Sequence, residues 1–375
     1  MIIAFDAKRA FFNNTGLGNY SRNTLHQLFT FYPEHHYWLY VPSKRFKNKF
    51  TIPKEVRIAT PNSWVGRLFP SYWRSLLINS QLMYEKPDIY HGLSNELPFG
   101  ITSTKIKTVV TIHDLIFKRF PQWYKPMDVK IYDRKFSYAA QHADMVIAVS
   151  QQTANDIEYY YNIPSERIRV LYQSCNPLFF NYLNKTDIDA VLSKYNLPSK
   201  YLLYVGTIEE RKNLHRLIEA LHIAKIDIPL VVIGRKTAYF TNNVLPLIEQ
   251  YKIQSQLHFI ENVENSSLPA IYQAAKLFIY PSLFEGFGIP ILEAQASGTP
   301  VLTSTGSCFS EAGGPHSAYA NPLDSNDIAQ QLTLLLNDKE RRISMIEKGR
   351  AYAQQFNDKQ CAENLMKVYE QLLSI

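Results

Sequence analysis
LFIYPSLFEGFGIPILEAQASGTPVLTS, residues 277–304, carries the pattern that decides the fold. The apolar run LFIYPS (277–282) reads as a strand ending at Ser282. A tight turn with Gly286 and Gly288 follows, and a helix starts near Ile289. Pro290 falls in its first turn, where a missing N–H costs nothing. Gly298 ends the helix from the C′ position, and PVLTS (300–304) is the next strand. Strand, glycine turn, helix and strand in this order build a parallel sheet.

The same rhythm runs outward in both directions. IIAFDA (2–7), YWLYV (37–41), DIYHG (88–92), TVVTIH (108–113), DMVIAVS (144–150) and IRVLY (168–172) read as strands of the first half. Helix-period stretches at 19–31, 71–84, 127–142 and 151–161 separate several of them. The second half restarts with YLLYVG (201–206), PLVVIG (229–234) and LHFIE (257–261), with helices over 213–225, 244–251, 268–275, 289–297 and 326–336. This predicts an α/β protein of two doubly wound, Rossmann-like domains, 1–180 and 181–358, facing each other across a ligand cleft. Pro177, Asn181, Asn184 and Pro198 mark 176–200 as the linker. The tail, 359–375, is a helix with a packing face suited to either domain, and it is placed with the first.

Composition bounds the function. The chain has 375 residues, 46% of them hydrophobic, enough for two cores. No apolar run approaches the ~20 residues of a membrane-spanning helix. The opening MIIAFDAKRA is unlike a signal peptide, and the three cysteines show no C-x-x-C spacing, so a cytoplasmic location is expected. Residues 1–180 hold 22 Lys+Arg against 13 Asp+Glu, whereas 181–375 hold 18 against 20. The basic first half is therefore expected to meet something anionic: a membrane surface, a lipid diphosphate or nucleic acid.

Four segments carry candidate chemistry. In 281–298, a glycine turn opening a helix leaves free N–H groups and a positive dipole end, which suits a diphosphate. Glu285 in the turn and Glu293, read as lying in the first helical turn, have carboxylates able to accept from sugar hydroxyls. Taken singly, Glu293 merely offsets the helix dipole and Glu285 is a solvated loop residue; the ensemble favours a site. In VGTIEERKNLHRLIEAL (205–221), Arg211 and Lys212 precede a helix. A cation there neutralises a leaving diphosphate, or else the pair is bound to Glu209 and Glu210. In NNTGLGNYSRNTL (13–25), Gly16 and Gly18 precede a helix and allow close approach of a phosphate or an acceptor. In TIHDLIF (111–117), His113 ends a strand, with Asp114 beside it; His91 ends the neighbouring strand in DIYHG. A lone histidine there is more often a hydrogen-bonded structural residue.

E-G-F-G-I-P-I-L-E, 285–293, resembles the E-x7-E signature of the retaining glycosyltransferases of family 4, the mannosyltransferase-like group 1 enzymes of GT-B fold. The resemblance spans the second half almost end to end and the first half more loosely. It implies that Glu285 lies by the transferred sugar and Glu293 binds the ribose. The backbone of Phe287, Gly288 and Ile289 would line sugar and phosphates, and Arg211 and Lys212 would hold the diphosphate. It also implies that Gly16 and Gly18 form a glycine-rich donor loop, that His113 contacts the donor sugar, and that Val263 in ENVEN (261–265) lies at the base pocket. Asp114 and His91 become acceptor-side candidates. One departure stands out: Thr207 occupies a place where many family members have arginine.

By that resemblance the function is transfer of a hexose, mannose from GDP-mannose foremost, with uridine-diphosphate sugars close behind. The acceptor would be a saccharide or lipid-linked saccharide in surface polysaccharide synthesis. The leaving phosphate would take the acceptor proton, so neither an enzyme nucleophile nor a cofactor or metal is expected. A sugar-nucleotide epimerase of the same fold is the alternative. A nucleic-acid-binding protein is another, disfavoured because the charges are scattered and no recognition motif appears. SWVGRLFPSYWR (63–74) interleaves Trp64, Phe69, Tyr72 and Trp73 with Arg67 and Arg74, a composition equally suited to core packing and to a membrane interface. Asp187-Ile188-Asp189 reads as a helix cap, not a metal motif.

Overall fold
Alternate residues of a strand point to opposite faces of a sheet, and the first strand shows it. In β1 (Ile2–Asp6), Ile3 and Phe5 join one apolar cluster with Leu25, Leu28 and Leu39. Ala4, between them, joins a second cluster with Tyr40, Tyr90, Val110 and Val146. A sheet buried on both faces needs helices on both, which parallel crossovers supply. The computed structural model describes residues 1–46 and 50–374.

The chain forms two compact units, Met1–Ser174 with Asp358–Ile375, and Cys175–Asn357. In the first, β2 (His36–Tyr40), β3 (Arg57–Ala59), β4 (Ile89–Gly92), β5 (Lys107–Ile112), β6 (Met145–Ala148) and β7 (Ile168–Val170) join β1 in the order β3-β2-β1-β4-β5-β6-β7. In the second, β8 (Leu202–Val205), β9 (Leu230–Ile233), β10 (Leu257–Ile260), β11 (Leu277–Tyr280), β12 (Val301–Ser304) and β13 (Ala318–Ala320) are ordered β10-β9-β8-β11-β12-β13. Neighbouring strands pair in parallel throughout both sheets. The order reverses at β1/β4 and again at β8/β11. Connections leave the two strands of each pair toward opposite sides, so a crevice opens at their carboxyl ends.

Several expectations change in detail. The stretch 176–200 is not a bare linker: it contains the helix Lys185–Lys194, capped by Asn184, whose Oδ1 accepts from the Asp187 amide at 2.9 Å. Asp187 is therefore not the cap. Residues 175–180 belong to the second unit, where the Phe179 ring meets Tyr272 edge-on at 5.6 Å. β3 and β13, three residues each, are too short to show a period. The helix Lys339–Ala353 buries only Met345, Gly349 and Ala353, so its charged sequence gives no amphipathic signal. The tail helix Asp358–Leu373 places Leu365, Met366, Val368, Tyr369 and Leu372 in the Phe5 cluster of the first unit.

The aromatic and basic segment divides. Trp73 and Arg74 are buried, and Arg74 bridges Asp6 at 2.7 Å and Glu96 at 2.8 Å. Trp64, Leu68, Phe69 and Tyr72 stay exposed, Trp64 at 72%. Half of the segment is core and half is surface, because residues on one face of the π-turn Trp73–Leu77 point inward.

Candidate active site
The carboxyl ends of β8 and β11 position the site of the second unit. β11 stops at Tyr280, before Pro281, and the turn carrying Glu285 follows. After β8 the chain makes a turn over Glu210–Lys212, and Asn213, in the left-handed region at φ 60°, leads into the helix Leu214–Ile223. The Asn213 amide donates to the Pro281 and Pro322 carbonyls, both at 2.8 Å, and the Leu283 N–H donates to the Arg211 carbonyl at 2.8 Å. The bonds to Pro281 and from Leu283 hold the two turns together, the first of them across 68 positions of sequence.

Arg211, Lys212 and Glu285 converge there. Lys212 Nζ donates to Glu285 Oε1 at 2.6 Å and to the Tyr280 hydroxyl at 2.6 Å. Arg211 Nη1 lies 2.6 Å from Glu285 Oε2, and its Nη2 is 2.8 Å from Glu209. Tyr280 donates to Glu285 Oε1 at 3.0 Å. Burial alone would raise the Glu285 pKa, but Arg211 and Lys212 outweigh it and hold the carboxyl down at about 2. Glu285 is thus an ionised carboxylate, not a solvated loop residue. Arg211 brings its guanidinium to the same carboxylate as Lys212, so two cations meet there.

The Glu285 turn leads straight into the helix Ile289–Ser297. Gly288, its N-cap, has φ 110°, a region that favours glycine. Among the described residues nothing accepts from the amides of Gly288 and Ile289, and they point out of the positive end of the helix. Phe287 is buried against Phe356, and its carbonyl lies 2.9 Å from the Cys308 sulfur. Glu293 is the fifth helical residue, one turn further on than the sequence reading put it, so it does not offset the dipole. It is half-buried, and Tyr272 donates to it at 3.0 Å. Burial raises its pKa to about 7 despite that bond. Val263 follows β10, two strands from β8 and so roughly 10 Å away across the sheet, and is half-buried.

Two family models match the chain. Glycosyltransferase Family 4 covers residues 17–177, and Glycosyl transferases group 1 covers 184–352. The chain belongs to the group 1 glycosyltransferases. Among relatives, the O-antigen chain mannosyltransferase B of Escherichia coli is 29% identical over 295 residues, 76% of this chain and 75% of that one. The serotype-specific mannosyltransferase WbdA of Escherichia coli is 31% identical over 261 residues, 67% of this chain but only 32% of the relative, about a third of its length. Sucrose-phosphate synthase from Thermosynechococcus elongatus has a TM-score of 0.79 at 19% identity, covering 100% and 99% of the two chains. A glycosyltransferase from Rickettsia africae has a TM-score of 0.76 at 18% identity, covering 99% and 98%. The two Rossmann-like units of this glycosyltransferase are those of the GT-B fold.

The first unit of the glycosyltransferase holds the remaining candidates. His113 follows β5 and is buried; its Nε2 lies 3.0 Å from the Leu93 carbonyl. A carbonyl only accepts, so Nε2 carries the proton and Nδ1 keeps a lone pair. Burial lowers the His113 pKa to about 4, which keeps the ring neutral. Tyr20 meets that ring edge-on at 4.5 Å. Asp114 lies beside it and caps the next turn, accepting from the Ile116 amide at 3.1 Å.

His91 does not serve as an acceptor-side residue. It is fully buried, with Nδ1 2.6 Å from the Tyr369 hydroxyl and Nε2 2.9 Å from Thr111 Oγ1, so both ring nitrogens are occupied. It ties the tail helix to the sheet. Gly16 and Gly18 do not precede the helix but lie in its first turn, because Thr15 is the N-cap and the helix runs Gly16–Phe31. A Cβ on Gly18 would stand 2.0 Å from the Asn13 carbonyl oxygen; one on Gly16 would meet nothing within 4 Å. Sequence reasoning missed Tyr280 and Tyr272, whereas Glu209, named as a partner of the basic pair, does bind Arg211. Each tyrosine reads as an apolar residue of a strand or helix, and only the fold brings its hydroxyl to a carboxylate.

Proposed function
We propose that this glycosyltransferase transfers a hexose, mannose from GDP-mannose, to a saccharide or lipid-linked saccharide with retention at the anomeric carbon and without a metal. The observation that carries the reading is the meeting of Arg211, Lys212 and Glu285 beside the unbonded Gly288 and Ile289 amides. Two cations and a helix N-terminus complement a diphosphate, and they act in a buried setting where such charges are worth most. The names of the mannosyltransferase relatives support mannose as the sugar and surface polysaccharide as the product.

In this mechanism the nucleoside diphosphate leaves from the face that the acceptor hydroxyl attacks. The bond from anomeric carbon to phosphate oxygen breaks and the bond to the acceptor oxygen forms. The hydroxyl proton passes to the departing phosphate oxygen. Arg211, Lys212 and the two amides hold the charge that develops on that phosphate. Glu285 accepts from a hydroxyl of the sugar, and Glu293 accepts from the ribose. Val263 lies by the base.

Incubation with GDP-mannose, and with uridine-diphosphate sugars in parallel, tests the reading. The expected result is release of GDP and an acceptor product of unchanged anomeric configuration, in EDTA as well as without it. Isomerised nucleotide sugar in the absence of acceptor would instead mark an epimerase. Loss of all turnover in EDTA would remove the metal-free mechanism.

No helix of the described residues is long and apolar enough to cross a membrane. Contact with a bilayer surface is proposed through Trp64, Leu68, Phe69 and Tyr72, which stay exposed beside Arg67. Flotation with anionic vesicles is expected for the wild type and not for Trp64→Ser/Phe69→Ser; equal flotation of both would remove this surface.

A further inference from the structure
Donor binding creates a problem for Glu285 that the free enzyme does not have. Its two oxygens are held by two cations and one phenol. A nucleoside diphosphate brings at least two negative charges to Arg211 and Lys212, and those cations turn toward it. A buried carboxylate that loses its counter-charges and gains an anionic neighbour is driven to protonate or to swing away. Either outcome removes an acceptor from the sugar. Among the described residues, the Tyr280 hydroxyl is the one partner of the Glu285 carboxylate that carries no charge, so no phosphate draws it off.

Tyr280 is built to stay where it is. It ends β11, and its ring lies fully buried between Phe278, at 5.9 Å, and Phe309, at 6.3 Å. Its backbone carbonyl accepts from Thr303 at 2.9 Å. Lys212 Nζ lies 4.9 Å from the centre of the ring and donates to its oxygen, so the phenol proton is left for Glu285. The same side chain therefore fixes both members of the pair, one by accepting and one by donating.

We infer that Tyr280 is a positioning residue: resting on the sugar-transfer reading above, it holds Glu285 ionised and in place once the diphosphate has engaged Arg211 and Lys212. Tyr280→Phe keeps the ring beside Lys212 and removes the hydroxyl, with its hydrogen bonds to Glu285 and to Lys212. Tyr280→Leu removes both.

Thermal melting as a function of pH, with and without saturating GDP, separates this role from plain packing. In the free enzyme the cations hold Glu285, and Tyr280→Phe is expected to lose stability in acid over the same pH range as the wild type. With GDP bound, its acid transition is expected about one pH unit higher than that of the wild type. Turnover is expected to fall about 10-fold, the size of one hydrogen bond to a charged group, with the KM for donor changed less than twofold. An acid transition displaced equally with and without GDP would make Tyr280 a structural residue and overturn the proposal; so would no displacement in either state. Failure of both GDP and UDP to stabilise the wild type would overturn the nucleotide-sugar reading itself, and this proposal with it. Stabilisation of the wild type by GDP with unaltered behaviour of Tyr280→Phe would sink the proposal alone.

Discussion
Lys212 Nζ and Glu285 Oε1 lie 2.6 Å apart although 73 residues separate them in the chain. The carboxylate occupies the cation that a leaving diphosphate needs, so in the free protein Glu285 takes the place of the missing anion. Without Glu285, Lys212 would lose its anion and Arg211 would keep only Glu209, which is destabilising for two part-buried cations.

Removing the carboxylate should therefore divide binding from catalysis. Glu285→Ala is expected to melt several degrees below the wild type, because Arg211 and Lys212 then repel each other. GDP is expected to raise its melting point by more than it raises that of the wild type, since the diphosphate replaces the lost charge. Sugar transfer is expected to fall about 100-fold or more. Thermal shift and product release measure the three effects. A smaller GDP shift in the variant would show that Glu285 does not stand in for the ligand.

Acid should expose the same pair. The carboxyl is held at about 2, below its unfolded value, so the stability it contributes is fully present above the unfolded pKa and is lost as pH falls toward 2. The amount is on the order of 3 kcal/mol. Glu285→Gln should flatten the fall in stability between about pH 4.5 and pH 2, as read by denaturant titration. An equally steep fall in the variant would assign acid sensitivity to other carboxylates.

Glu293 titrates in the opposite sense. Its pKa is raised to about 7, so its ionisation opposes folding, and stability declines as pH rises from the unfolded value near 4.5 through 7. A hydroxyl that donates to Glu293 favours the ionised form. Nucleotide binding near pH 6.5 is therefore expected to release a fraction of a proton, which calorimetry in buffers of different ionisation enthalpy detects. Glu293→Gln should abolish the release and weaken GDP by about 10-fold. Buffer-independent heats in the wild type would remove Glu293 from the nucleotide site.

The two glycines of the first helical turn should part company. Gly18→Ala drives a methyl group into the Asn13 carbonyl and is expected to cost about 1–3 kcal/mol. Gly16→Ala has open space and is expected to fold at least as well as the wild type. If a ligand approaches the Gly16 backbone closely, that variant loses donor use without losing stability. Full activity in Gly16→Ala would leave only Gly18, with a packing role, in this turn.

The architecture was legible because hydrophobic period and turn chemistry are local. The segment 277–304 showed its strand, its glycine turn and its helix of nine residues, Ile289–Ser297, since Gly288, Pro290 and Gly298 each act on their own backbone. Arg211, Lys212 and Glu285 were nameable as a candidate set from spacing and resemblance, but their contacts were not. Tyr280 and Tyr272 looked like core because a strand or helix pattern records burial and not where a hydroxyl ends. His91 looked like His113, each at a strand end. Only the packing of the tail helix, which sets Tyr369 against one of them and leaves the other a free lone pair, told them apart. What the sequence determined was what each stretch of backbone could do by itself. Which polar atoms meet, and so which charges are compensated, was decided by contacts between residues up to 331 positions apart.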